Sequence, residues 1–221
     1  MNLSEKQKII IDRTIDFVKT TLREAEGGHD WWHIYRVWRI AIQIGIEENA
    51  NQFIIQLGAL THDIADSKFT GGNEDIGPKL ATDFLKSQGV EQRIINDVVS
   101  IIRKISFKNS INREVSLTKE EQVVQDADRL DAIGAIGIAR AFNYGGYKNS
   151  IIYDPHQKPK KYNSKDDYTN SNSTTINHFY EKLFLLKDKM NTKTGKKLAE
   201  GRHRYMESYM KQFFMEWEGT L

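Results

Sequence analysis

The stretch DWWHIYRVWRIAIQIGI, residues 30–46, repeats apolar side chains at steps of three and four residues. This spacing matches the 3.6-residue turn of an α-helix and places the apolar side chains on one side of it. Asp30 precedes the apolar run and is predicted to be the N-cap, whose side chain accepts backbone N–H groups. The stretch therefore predicts a largely buried helix, with these residues on its apolar side: Ile34, Val37, Trp38, Ala41 and Ile44.

The same spacing recurs along most of the chain, whereas alternating β-branched runs bounded by tight-turn pairs are missing. Gly134 and Gly137 either split one helical stretch or allow close helix packing. The aromatic stripe of the last helix, at positions 205, 209, 213 and 217, is predicted to be core packing. The pattern favours an all-α fold with helices over about 4–25, 31–46, 51–64, 75–88, 91–105, 119–142, 174–190 and 194–217.

Length and composition favour one domain spanning residues 1–221. Its expected parts are a metal-binding core over about 28–142, a polar loop over 143–173 and C-terminal helices over 174–217. A loop of this length is usually functional or disordered, and its lysines and tyrosines suit either a cover over an anionic substrate or a surface excursion.

Charge and cysteine content narrow the class of protein. The net charge of +2 balances 32 basic against 30 acidic residues, so we expect no stable binding to nucleic acid. The absence of cysteine excludes disulfides, thiol nucleophiles and cysteine metal sites. The N-terminal MNLSEKQKIIIDRTI carries charges every few residues. We therefore expect no signal peptide, no membrane span and a cytoplasmic location.

Four polar residues lie inside apolar, helix-like stretches: His33, the adjacent pair His62 and Asp63, and Asp128. An unpaired ionised group in such surroundings costs several kcal/mol, on the order of the penalty for burying an isolated polar group. Two imidazoles and two carboxylates are a mixed nitrogen and oxygen set that suits a divalent cation. A metal site is therefore the first hypothesis about function.

Other interpretations compete with this one at each position. A single histidine on an apolar face is more often a core residue than a ligand. The two aspartates can be neutralised by salt bridges to Arg36, Arg39 or Arg129. His29 is four residues before His33 and can share its helix face, although Asp30 as an N-cap would leave His29 outside the helix.

Six segments together resemble the HD-domain metal-dependent phosphohydrolase superfamily, and in it the bacterial YedJ- and YpgQ-like subfamily. They span most of the chain, from about residue 28 to residue 219: HDWWHIYRV, HDIADSKF, ISFK, DADRLDAIGAIGIAR, INHFYEKL and RHRYMESYMKQFFMEWEG. The resemblance implies a single-domain helical bundle of the HD-domain type. It also implies that His33, His62, Asp63 and Asp128 bind one divalent cation.

Mn²⁺ is the favoured cation, with Ni²⁺, Co²⁺, Fe²⁺, Zn²⁺ or Mg²⁺ as alternatives, and open coordination positions would admit water and a phosphate oxygen. The subfamily implies a small-molecule nucleotide substrate and a (d)NTP pyrophosphohydrolase that yields (d)NMP and pyrophosphate. The alternatives are a nucleotide phosphomonoesterase or phosphodiesterase with the same metal site, and a nucleotide-sensing module without turnover. A homodimer is compatible with a helical bundle that exposes aromatic residues.

Further site residues follow from their spacing to the ligands. Asp66 shares a helix face with His62 and is the candidate general base. Lys68 can meet a phosphate as a point charge or lie solvated at the helix end. Arg36, three residues after His33, is the first candidate for binding the substrate. Asp131, three residues after Asp128, can orient a ligand, act as a cap, pair with Arg129 or replace Asp128 as the ligand.

Three more substrate-binding candidates lie in segments shared with the subfamily: Lys182, Arg202 and His203. For these the competing interpretation is surface or inter-helix pairing, because most basic residues on helices are solvated.

Overall fold

In the computed structural model, the described residues are 3–23, 30–65, 73–105, 116–161 and 173–220, and they contain helices and no strand. The predicted all-α class is therefore confirmed. The helices are α1 (Glu5–Thr21), α2 (Trp31–Glu47), α3 (Gln52–Thr61), α4 (Ile76–Ser87), α5 (Gln92–Lys104), α6 (Lys119–Asp131), α7 (Gly134–Tyr147), α8 (Thr175–Glu181), a 3₁₀ helix (Leu183–Lys189) and α9 (Lys193–Trp217).

The chain forms two compact units, residues 1–127 and 128–221, and the boundary between them falls inside the continuous helix α6. The prediction of one domain over residues 1–221 stays a prediction.

Helix α3 is the centre of the first unit, since every one of its residues is buried. It packs against α1, α2 and α5, and α4 packs against α5. Gly58 allows the contact with α5, because a Cβ there would lie 2.5 Å from Ile101 Cδ1. The apolar core around α3 is continuous and includes Ile10, Val18, Ile34, Phe53, Leu57, Leu60, Leu85, Ile95 and Val98.

The N-terminal part of α6 is bound to this unit through a buried carboxylate. Glu121 is 1% exposed and accepts from Ser100 Oγ at 2.5 Å, from Thr118 N at 2.8 Å and from Lys104 Nζ, which lies 2.9 Å away. Burial alone would raise the pKa of Glu121, but these hydrogen bonds and the Lys104 charge together hold the pKa below its ordinary value. The carboxylate is therefore ionised and fixes the start of α6 against α5.

The second unit contains the end of α6 and the helices that follow. Helix α7 packs against α8 and α9, and α9 also packs against the 3₁₀ helix. The predicted helix over 119–142 is split, with α6 ending at Asp131 and α7 starting at Gly134. Gly134 has a φ of +78°, which glycine adopts at little cost. Gly137 packs so closely that a Cβ there would overlap the Ala132 carbonyl. A split of the helical stretch at Gly134 and Gly137 was one of the two predicted alternatives, and the structure shows this split.

The predicted loop over 143–173 is shorter and more ordered than expected, because α7 continues to Tyr147. The segment that follows it is hydrogen-bonded to α8. Thr175 N donates to Ile151 O at 3.0 Å, and Asn177 Nδ2 donates to Gln157 O at 2.8 Å. The buried Glu181 carboxylate accepts from Lys160 N at 2.9 Å. Residues 150–160 are therefore held by α8, and residues 162–172 of the predicted loop lie outside the described residues.

The prediction that the whole aromatic stripe of the last helix is core packing was wrong at two positions. Tyr205 is 56% exposed and Trp217 is 48% exposed. Trp217 instead forms an edge contact with Tyr153, with ring centroids 4.9 Å apart. Helix α9 is 25 residues long and its last turns extend past its buried residues, of which Met210 is the final one.

Candidate metal centre

His33 lies in the first turn of α2 and is 1% exposed. The predicted N-cap is confirmed, since Asp30 Oδ1 accepts from His33 N at 3.0 Å. The cap fixes the start of the helix, and the apolar face of α2 then directs this imidazole inward rather than to solvent. His29, the alternative ligand, lies outside the described residues.

His62 is the C-cap of α3, because the helix ends at Thr61 and not within the predicted 51–64. His62 Nδ1 lies 2.8 Å from the backbone carbonyl of Ala59. A carbonyl oxygen can only accept, so Nδ1 carries the proton of this hydrogen bond, and in the neutral imidazole the lone pair is then on Nε2. A histidine oriented in this way is what metal sites commonly use, since the second nitrogen fixes the tautomer and the ring direction.

Asp63 follows directly and brings a carboxylate to the same place. Its Oδ2 lies 3.9 Å from His33 Nε2, and its side chain is 17% exposed. The ring centroids of His33 and His62 are 5.3 Å apart. The assignment of Asp63 as a ligand is compatible with these distances and stays a prediction.

Asp128 belongs to the same group as the two histidines, although 66 positions (128 minus 62) separate it from His62 in the sequence. His33, His62 and Asp128 each offer a ligand atom, and these atoms all lie within 4.8 Å of one another. Metal–ligand bonds to nitrogen and oxygen are about 2.0–2.2 Å long, so shifts of about 1 Å would let one ion contact all three. The nitrogen and oxygen donors fit a first-row divalent cation.

Asp131, the alternative to Asp128 as a metal ligand, forms an ion pair with an arginine. Its Oδ2 lies 2.6 Å from Arg140 Nη1, and its side chain is 1% exposed. The arginine expected to pair with Asp131 was Arg129, whereas the ion pair described here is with Arg140. The role of Asp131 towards the substrate stays a prediction.

The remaining candidates for substrate binding differ in their surroundings. Arg36 and Lys182 are half-buried. His203 Nε2 lies 3.3 Å from Glu207 Oε1, one helical turn along α9. Arg202 donates from its guanidinium to the Leu130 carbonyl at the end of α6. Burial lowers the pKa of Arg202, and the Asp131 charge opposes that effect. The catalytic candidates Asp66 and Lys68 lie outside the described residues.

Sequence reasoning missed a contact that Arg129 makes with the backbone of Lys189. The Arg129 guanidinium donates to the Lys189 carbonyl, which attaches the end of the 3₁₀ helix to α6. Arg129 was considered only as a salt-bridge partner, and Lys189 lies in LKDKM, which matches no motif. The one available signal was that Arg129 follows a predicted ligand.

None of the helices in the described ranges is long and apolar enough to cross a membrane.

Comparison with known proteins gives a consistent result. The HD domain family model matches residues 31–133. The protein YpgQ of Bacillus subtilis (strain 168) is 37% identical over 198 residues, which cover 89% of this chain and 88% of YpgQ. Its crystal structure in complex with ADP has a TM-score of 0.76 at 36% identity and covers 96% of each chain.

Two further solved structures are similar over almost their full length. An HD-superfamily hydrolase from Bacillus thuringiensis has 43% identity and a TM-score of 0.76, covering 96% of this chain and 98% of that one. A protein from Lactobacillus plantarum has 38% identity and a TM-score of 0.85, covering 99% of this chain and 100% of that one.

Proposed function

Because the chain belongs to the HD domain family, in its YpgQ-like subfamily, we propose that it is a divalent-metal-dependent phosphohydrolase that acts on nucleotides. The observation that carries the proposal is the convergence of His33, His62 and Asp128 within 4.8 Å. The similar Bacillus thuringiensis protein is an HD-superfamily hydrolase, and YpgQ crystallised with ADP. These two relatives support hydrolysis and a nucleotide ligand respectively.

The specific reaction that we propose is pyrophosphohydrolysis of (d)NTPs. Water adds to phosphorus, the anhydride bond between the α and β phosphates breaks, and (d)NMP and pyrophosphate leave. A divalent cation, when bound, polarises the phosphoryl oxygen and lowers the pKa of a bound water. Mn²⁺ is our first choice for this cation.

The residues of this chain would have separate roles. His33, His62, Asp63 and Asp128 would hold the cation. The Nδ1 of His62 donates to Ala59 O, and this bond would orient the ring so that Nε2 could bind the cation. Asp66 is our candidate for accepting the proton of the attacking water, because it is four residues after His62. Arg36 is our candidate for contacting the phosphates.

Product identification tests this proposal. Metal-stripped protein is incubated with dATP and Mn²⁺, and the products are resolved by anion-exchange chromatography and ³¹P NMR. We expect dAMP and pyrophosphate in equal amounts. Free phosphate with dADP would instead identify a phosphomonoesterase. Turnover of a cyclic nucleotide, tested as a second substrate, would identify a phosphodiesterase. Nucleotide binding without turnover would identify a sensing module.

The variants His62→Ala and Asp128→Asn serve as the test of the site, and His156→Ala is the matched control because His156 is an exposed histidine outside the ligand group. We expect the first two to lose turnover by at least about a thousandfold, since the metal supplies both the Lewis acid and the activated water. The control should retain wild-type turnover. Equal activity in His62→Ala and His156→Ala would contradict the assignment.

A further inference from the structure

Glu121 lies near the start of α6, the helix that carries the proposed ligand Asp128. The two residues are seven positions apart, 128 minus 121. Seven residues make about two helical turns, so both side chains lie on one face of α6, about 10 Å apart along its axis. Gln125, four residues after Glu121, lies on the same face. This face of α6 therefore leads directly from Glu121 to the candidate metal centre.

The Glu121 carboxylate serves two purposes at once. Thr118 N donates to Glu121 Oε2 at 2.8 Å, and Glu121 N donates to Thr118 Oγ1 at 3.3 Å, which are the reciprocal bonds of a capping box. The same carboxylate accepts from Ser100 Oγ at 2.5 Å, and Lys104 Nζ lies 2.9 Å from its Oε1. Ser100 and Lys104 share one face of α5, since they are four residues apart. One side chain thus caps α6 and binds it to α5.

A second hydrogen bond continues this attachment along α6. Gln125 Nε2 donates at 3.3 Å to the carbonyl of Ile105, the C-cap of α5. Glu121 is 1% exposed and Gln125 is 3% exposed, so both bonds are shielded from water. Two successive turns of this face are therefore attached to α5, and the next turn carries Asp128.

Helix α5 also supports the helix that ends at the other proposed ligand, His62. Helix α3 packs against α5 so closely that a Cβ on Gly58 would lie 2.5 Å from Ile101 Cδ1. The helices that carry His62 and Asp128 are therefore both attached to α5. A metal site needs its ligands within about 0.5 Å of their productive positions, so a small displacement of α6 on α5 would weaken binding.

We propose that Glu121 is a positioning residue for the metal centre, because its bonds to Ser100 and Lys104 set where α6 places Asp128. This inference rests on the metal site of the proposed function and adds to it a residue that acts through α6 and not by touching the ion. A carboxylate suits this role because it only accepts hydrogen bonds, and its partners here all donate. Glutamine has nearly the same shape but would turn an N–H group towards one of these donors, which would displace α6 from α5.

The test is the affinity of metal-stripped protein for Mn²⁺, measured from the electron paramagnetic resonance signal of free Mn²⁺. It is carried out at a temperature at which circular dichroism shows every variant to be folded. Glu121→Gln is compared with Glu120→Gln, which removes the same charge from the neighbouring position. In the described part of the chain, Glu120 forms no bond to α5 and accepts from Asn51 N at 3.1 Å.

A second control separates positioning from a general loss of stability. Leu85→Ala removes a fully buried side chain from α4, a helix that carries none of the proposed ligands. This variant should be at least as destabilised as Glu121→Gln. Its Mn²⁺ affinity should nevertheless stay within about twofold of wild type, because effects at distant sites are largely independent.

We expect Glu121→Gln to weaken Mn²⁺ binding by about tenfold, within the range for residues that act on a site through a connected network. Glu120→Gln should bind within about twofold of wild type. Ser100→Ala removes one donor of Glu121 and should weaken binding by about threefold. The double variant of Ser100→Ala and Glu121→Gln should bind no more weakly than Glu121→Gln alone, because both changes break one contact.

The outcomes separate this inference from the proposed function. Wild-type Mn²⁺ affinity in Glu121→Gln, or an equal loss in Glu120→Gln or Leu85→Ala, would overturn the role of Glu121 while nucleotide hydrolysis stood. A double variant that lost the full product of the two single losses would also overturn it. Glu121-dependent Mn²⁺ binding in a protein that hydrolyses no nucleotide would uphold the role of Glu121 and overturn the proposed function. Absence of Mn²⁺ binding by the wild type would overturn both.

Discussion

Mn²⁺ should stabilise the folded chain, and the stabilisation should depend on His62 and Asp128. The three grouped residues lie on three different helices, α2, the end of α3 and α6, separated by 29 residues (62 minus 33) and 66 residues (128 minus 62) of sequence. An unfolded chain does not hold such distant ligands together, so the ion binds the folded state alone. The size of the effect then follows from mass action.

At a free Mn²⁺ concentration 100 times Kd, binding adds about 2.7 kcal/mol to the free energy of unfolding. For a chain of this length each kcal/mol raises Tm by about 2–4 °C, so the expected rise is about 5–10 °C. Loss of an outer-shell partner alone weakens metal binding by up to about 100-fold. Loss of a residue that binds the metal directly should therefore weaken it by at least about 100-fold. At the same Mn²⁺ concentration His62→Ala would then gain only about 0.4 kcal/mol, or about 1 °C.

The assay is thermal unfolding followed by circular dichroism, at constant ionic strength, with EDTA added afterwards to reverse the shift. Each variant is compared with its own metal-free form, so any loss of intrinsic stability cancels. His156→Ala should show the full wild-type rise. The ligand assignment would be refuted by a rise in His62→Ala and Asp128→Ala as large as that of the wild type.

Four other substitutions have expected outcomes. Glu121→Gln should lower the free energy of unfolding in urea at pH 7 by about 2 kcal/mol, since it weakens hydrogen bonds to a buried carboxylate. Folding lowers the pKa of Glu121, so the difference in free energy of unfolding between wild type and Glu121→Gln should be fully present above the unfolded-state pKa of Glu121. The difference should shrink as the pH falls through the folded-state pKa. A difference that does not change with pH would contradict this. Asp131→Ala should cost about 3 kcal/mol by removing the buried partner of Arg140, yet elemental analysis should still find bound metal; metal loss would make Asp131 a ligand. Gly58→Ala should lower the free energy of unfolding by about 1–3 kcal/mol, because the added methyl group would meet Ile101 on α5. Gly201→Ala lies in open space and should raise the free energy of unfolding by up to about 1 kcal/mol. Equal effects of the two substitutions would mean that packing at position 58 is unimportant.

The helices α2, α4 and α5 of the first unit could be predicted closely from sequence because each has a single apolar face. The predicted 31–46, 75–88 and 91–105 compare with observed bounds of Trp31–Glu47, Ile76–Ser87 and Gln92–Lys104. The N-cap at Asp30 was also predictable, because capping is a local interaction between a side chain and the next helical turn.

Long-range packing decided the features that were not predicted. The break between α6 and α7 is a local feature instead, and the glycine pair offered it as one of two alternatives; Gly134 has a φ of +78° there, and Gly137 lies close to the Ala132 carbonyl. The exposure of Tyr205 and Trp217 depends on where the partners of α9 end, because helical spacing defines a face without defining what covers it. The group of His33, His62 and Asp128 was predicted, but from the resemblance to a family rather than from periodicity.

The end of α3 explains why the adjacent histidine and aspartate suit a metal site at that point. The last four carbonyls of a helix have no intrahelical partner, and the carbonyl of Ala59 is one of them because α3 ends at Thr61. His62 Nδ1 donates to that oxygen, so helix termination itself supplies the group that fixes the imidazole. The carbonyl end of a helix also carries partial negative charge, which favours a nearby cation. Had α3 continued through residue 64, as its apolar spacing predicts, residue 63 N–H would have used the Ala59 carbonyl and His62 would have lost its orienting bond.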